Sequence, residues 1–212
     1  MNGFSILLKK IILPDCKDRP FVCDGFPCQS EAITIGQNPA TVMDGEIWGR
    51  WWDDRTGFNF KDFIKKYRQI RRQNGEREMS PTRLRMQRFR DKGVSCVETN
   101  VYRNEGAPTA GKGKIPNVDV LALLLDNMPK LRAVIICGGE AKNICRECPE
   151  ISGKLKDLEG GGVIRIEIER LYNASYDWIE ETCKRIEANR LDKCPRCESN
   201  SPSKWLENGL GA

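Results

Sequence analysis

Residues 33–41, ITIGQNPAT, run a short apolar stretch into a glycine and then set Gln37, Asn38 and Pro39 where a helix would otherwise begin. Two amides held in a proline turn stabilise little by themselves. They suit the recognition of something small, planar and rich in hydrogen-bond donors and acceptors. Glu98 and Asn100, two positions apart at the end of a second apolar stretch, put a carboxylate and an amide on one face of a strand. Arg170 and Asn173, in RLYNAS at 170–175, add a permanent cation with several donors and a third amide. The chain has no histidine, which removes the commonest general base and the usual nitrogen ligand of zinc.

The ten cysteines read as thiols or metal ligands in a reducing cytoplasm, because nothing in the sequence suggests export. Cys96 and Cys137 fall in apolar runs and read as small core residues. Cys194 and Cys197 have the two-residue spacing of half a structural zinc site. The other half would come from Cys145 and Cys148, which share that spacing, or from Cys23 and Cys28.

Four short apolar runs at 32–35, 94–97, 133–137 and 163–168 predict buried strands. Helical periodicity at 118–125 and 178–186 separates them, and Ser80-Pro81 makes a helix start ahead of 82–90. Alternation of strand and helix predicts an α/β protein with a short parallel sheet between two helical layers. With 212 residues the expectation is one domain: an irregular N-terminal arm over 1–30, a core over 31–190 and a Cys-containing polar tail over 191–212. In such a sheet, ligands bind beyond the carboxyl ends of the strands. Gly36-Gln37-Asn38, Glu98-Thr99-Asn100, Gly138-Gly139 and Arg170 to Asn173 should therefore converge on one rim.

Charge is concentrated rather than spread. Residues 61–92 carry twelve Lys and Arg against four acids, although the whole chain is only +5. Such a segment favours a phosphate backbone as partner. No apolar run approaches membrane-spanning length, so a cytoplasmic monomer is expected. GAPTAGKG at 106–113 approaches the phosphate-loop pattern but lacks its final hydroxyl and meets Pro116 where the helix should follow. It reads as a basic surface loop, and no nucleotide cofactor is expected.

In order along the chain, RPFVCDG (19–25) with Cys28, IGQNPAT (35–41), SPTR (80–83) and ETN (98–100) together resemble the uracil-DNA glycosylase superfamily, in an uncharacterised bacterial branch. The resemblance covers about residues 19–190. It implies that family's three-layer fold and a monofunctional DNA glycosylase needing no cofactor for catalysis. Asn38 falls where the family positions the attacking water, and Gln37 would offer its backbone to the base. Asn100 matches the residue that reads the base edge, and Phe58 or Phe60 resembles the aromatic that stacks on the flipped base. The family's usual His is replaced within RLYNAS, so Arg170 or Asn173 would meet the departing base, while Leu171 and Tyr172 could wedge into the duplex. Arg83 and Arg85 would contact DNA.

Uracil-selective members carry a Tyr after the motif proline, which blocks substituents at pyrimidine C5. Here that residue is Ala40. Glu98 would accept from the exocyclic amine of cytosine. The expected substrate is thus a C5-modified pyrimidine, modified cytosine foremost, as in repair or in defence against modified phage DNA. The rival expectations are a modified-base-binding protein that does not cleave and a zinc-stapled nucleic-acid-binding module.

Overall fold

Ala32, Ile33, Thr34 and Ile35 are all buried, as a continuous apolar run this short requires: it must lie between two covering layers. The computed structural model describes residues 3–12, 16–39, 41–43, 46–103 and 115–191. In chain order its elements are α1 (Gly3–Ile11), β1 (Phe21–Val22), β2 (Ala32–Gly36), β3 (Trp52–Asp53), β4 (Gly57–Phe58), α2 (Phe60–Gln73), α3 (Pro81–Asp91), β5 (Cys96–Asn100), α4 (Val118–Asp126), β6 (Ala133–Cys137), α5 (Gly139–Glu147), α6 (Pro149–Gly160), β7 (Ile164–Ile168) and α7 (Tyr176–Leu191). The protein is mixed α/β. Its main sheet has the order β1-β5-β2-β6-β7; β5, β2, β6 and β7 are parallel, and β1 is antiparallel at the edge.

Alternation along the strands sorts two cores. Ile33, Ile35, Val97, Val134 and Ile136 face a large cluster with Phe4 and Leu8 of α1, Phe63 and Tyr67 of α2, and residues of α4 and α6. Ala32, Cys96, Ala133, Ile135 and Ile166 face Met86 and Phe89 of α3 and Ile179, Cys183 and Ile186 of α7. Ser80 caps α3 as the sequence predicts, its hydroxyl accepting from the Arg83 amide at 3.2 Å, with Pro81 in the first turn.

Two expectations are corrected. The irregular arm contains helix α1, which packs on α4 and buries Phe4, Leu8 and, just past its end, Ile12. That spacing of four marks one helix face, outweighed in the sequence by the prolines that follow. Strand β5 also starts and ends later than 94–97, so Glu98, Thr99 and Asn100 lie inside it. The reason is tertiary: Phe21 and Val22 pair with Thr99 and Glu98 and extend the ladder. The end of β5 is fastened by buried Asn117, whose amide donates to the carbonyls of Asn100 at 2.9 Å and Pro20 at 2.8 Å.

Cys96 and Cys137 are in strands, as expected of core residues, and burial pushes both thiols, and that of Cys145 on α5, up to about 12. Each thiol is raised relative to its ordinary value of 9.0, so the folded state holds protons that the unfolded chain releases. Stability conferred in this way is complete below pH 9 and is lost as pH rises from 9 toward 12. Unfolding free energies from denaturant titrations should accordingly fall over that window. The native protein should also resist alkylation near neutral pH at the buried Cys96 and Cys145; rapid modification there would show that they are open to solvent.

Candidate functional site

Because four strands run parallel, their carboxyl ends lie on one side of the sheet, and Gly36, Asn100, Gly138 and Arg170 are gathered along it. Gly36 pairs with Asn100 in the register. A Cβ on residue 36 would stand 2.6 Å from Asn100 Oδ1, so the asparagine side chain lies across β2 in space that only a glycine leaves open. Asn100 is largely buried, at 9% exposure.

The turn that follows is fixed at both ends. Val101 N donates to Gly36 O at 2.9 Å and Tyr102 N donates to Gln37 O at 3.0 Å, carrying the β2–β5 contact past the strands. Gln37 and Asn38 are partly exposed and Pro39 is buried. Beyond it, Arg19 Nη2 donates to Thr41 O at 2.9 Å, and the Thr41 hydroxyl lies 3.0 Å from both Tyr67 OH and Arg71 Nη1. Two cations and a tyrosine from distant segments thus brace the segment that carries Asn38. Ala40 lies outside the described residues, as do Cys194 and Cys197 and the basic loop at 106–113.

On the other side of β2, Gly138 adopts φ +95°, a left-handed conformation that glycine takes without strain, and its amide donates to Ile168 O at 3.0 Å. Glu140 in the first turn of α5 accepts from Tyr102 OH at 2.7 Å. A phenol and a carboxylate therefore stand beside the Gln37 turn. Neither residue was singled out in the sequence, although each follows a strand end by two or three positions, which is the signal that could have found them.

Several expected roles are moved by the geometry. Arg83 is buried at 3% exposure and forms a two-point ion pair with Glu98, at 2.8 Å from Nη2 to Oε1 and 2.7 Å from Nη1 to Oε2. Its guanidinium stands 5.3 Å from the ring centres of Phe63 and Tyr67. Arg83 is thus an internal cation, with little surface left for the DNA contact expected of it. Both Glu98 oxygens face it, which withdraws Glu98 from reading a base. Arg85 donates to the carbonyls of Ala174 and Pro81 and holds the 170–175 turn against α3.

Phe58 is 2% exposed among Phe21, Trp48 and Phe63. It pairs with Gly25, beyond Val22 on the strand antiparallel to β5, and so lies toward the opposite end of the sheet. Phe60 begins α2 there, with the Arg90 guanidinium 3.8 Å from its ring centre. Neither phenylalanine reaches the rim to stack on a base. Leu171 is buried against the α3–α7 layer and cannot act as a wedge, whereas Tyr172 is 40% exposed and remains free to do so. Arg170 is exposed and donates to Tyr172 OH. Asn173 is exposed too, and the cap of α7 is Ser175, accepting from Trp178 N at 3.0 Å.

No group of three or more His, Cys, Asp or Glu side chains among the described residues could hold a metal ion. Cys23, the proposed alternative partner of a zinc site, is fully buried; its thiol donates to Gly25 O at 3.3 Å, and burial holds its pKa well above the ordinary value. Among the described residues no helix is long and apolar enough to cross a membrane. Neither a family profile nor a curated protein matches the chain.

Proposed function

We propose that this chain is a monofunctional DNA glycosylase with the three-layer fold of the uracil-DNA glycosylase type, acting on a pyrimidine turned out of the duplex. The observation that carries this reading is the placement of Asn100 across Gly36, directly beside the Gln37-Asn38 turn. One buried amide can present a donor and an acceptor to a base edge while the next turn holds water against the sugar.

In the reaction, the C1′–N bond breaks and its electron pair leaves with the base. A water oxygen held by Asn38 bonds to C1′, and its proton is lost to solvent or to the base. Asn38 is a weak base and orients that water; Arg170, about two strand spacings or 10 Å from β2, meets the departing anion. No resident metal or cofactor takes part. The resemblance puts Ala40 where uracil-selective members carry the blocking Tyr, which favours a C5-substituted pyrimidine. With Glu98 held by Arg83, the choice between cytosine and uracil falls to Asn100, whose amide can turn to match either edge. Modified foreign DNA is the substrate that fits this chemistry best.

A panel of duplexes carrying uracil, a thymine mismatch and pyrimidines with small and large C5 groups tests the reading. Base release with an abasic product is expected from the C5-modified members. Release from none of them, with binding retained, would establish a base reader without cleavage, the outcome favoured by the lack of any histidine.

A further inference from the structure

Lys61, Lys65, Arg68 and Arg72 recur at intervals of four, three and four on α2, which places all four on one helical stripe. All are exposed, while Phe63, Ile64, Tyr67 and Ile70 bury the opposite side of the helix. Among the described residues Lys61, Lys65 and Arg68 form no ion pair; Arg72 has one long contact, 3.6 Å to Glu78. The stripe lines an open groove of about 700 Å³, whose two acids are each engaged locally, Glu78 by Arg72 and Asp62 by the Asn59 cap. The cations of α3 contrast with these: Arg88 and Lys92 both pair with Glu180 of α7.

Direction matters as much as charge. Helix α2 begins at Phe60, toward the end of the sheet away from the rim, and by Arg71 it touches Thr41, three residues past Asn38. From Lys61 to Arg72 the stripe is about 16 Å long, the axial length of roughly five phosphates on one strand of B-form DNA.

We propose that the outward face of α2 is a phosphate track that holds one backbone strand of DNA and leads it to the Asn38 turn. The choice of DNA as the polyanion rests on the reading given above; the track itself rests on the stripe, its missing partners and its direction. Hydrogen-bond readout is not required of it, so binding through α2 is indifferent to sequence.

The test is the salt dependence of binding to a short fluorescent, unmodified duplex. In the variant K61Q/K65Q/R68Q/R72Q, glutamine preserves helix propensity, and a circular-dichroism spectrum and denaturation midpoint like the parent's confirm the fold. The slope of log K against log salt is expected to become shallower by about 3–4, near 0.9 for each lost phosphate contact. A control removes four exposed cations elsewhere, R146Q/K156Q/K184Q/R185Q, and should leave the slope nearly unchanged. An unaltered slope in the α2 variant, or an equal change in the control, overturns the track. Because the probe carries no modified base, a glycosylase reading that fails on the panel leaves this result standing, and a parent that releases base while the α2 variant keeps its slope refutes the track alone.

Discussion

Asn38→Ala will bind the chosen modified duplex as tightly as the parent and release its base about 10²–10³ times more slowly under single-turnover conditions. The substitution removes a partly exposed amide from a turn whose geometry is fixed by other groups: Tyr102 N on Gln37 O before it, and Arg19, Tyr67 and Arg71 on Thr41 after it. The other groups that hold the turn should keep the fold, which a thermal melt alongside the kinetics checks. The separation of rate from affinity is what assigns Asn38 to the chemical step. A mutant that releases base at the parental rate removes Asn38 from the mechanism, and one that loses rate only through weaker binding makes it a recognition residue.

Arg83→Ala will destabilise the fold by about 3 kcal/mol or more, because it strips the partner from a carboxylate that is itself largely buried. The side chain also leaves the faces of Phe63 and Tyr67, so packing is lost with the charge. Replacing both partners together, Arg83→Met with Glu98→Leu, should recover most of the loss, since an apolar pair of similar volume needs no compensating charge. Urea denaturation of the two single variants and the double variant measures this directly. If Arg83→Ala falls within about 1 kcal/mol of the parent, as an exposed ion pair would, Arg83 is not the internal strut described above.

These two residues show where the sequence is legible and where it stops. Asn38 follows a strand whose apolar run is local and continuous, so both the strand and the rim position can be read from a few neighbouring letters. The same holds for β6, found at 133–137 as expected, and for the Ser80 cap of α3. Arg83 sits in a run of cations that all look solvent-exposed in one dimension, yet in the fold it turns inward while Arg88 and Lys92 stay out to meet Glu180. Which cation faces the core depends on Glu98 rising beneath it from a strand fifteen residues away. Phe58 and Phe60 mislead for a related reason: their types suit stacking, but a two-residue hairpin pairing with Trp52 and Asp53 consigns the first to the aromatic core. Tyr102 and Glu140 each follow a strand end, but their hydrogen bond joins a turn to a helix start 38 positions away, so no local stretch shows them as a pair.

The edge strand β1 carries a consequence for how the chain is made. Its two residues and the helix before it are synthesised ahead of their partners, since β1 pairs with β5 and α1 packs against α4. Strand β5 begins at residue 96 and α4 at residue 118, so these contacts form after the aromatic ones in which Phe4 and Phe21 meet Trp48, Trp52 and Phe58. This segment therefore precedes its sheet and helix partners in synthesis and completes its packing after them, and until then its apolar side chains are a surface that a holding chaperone can grip.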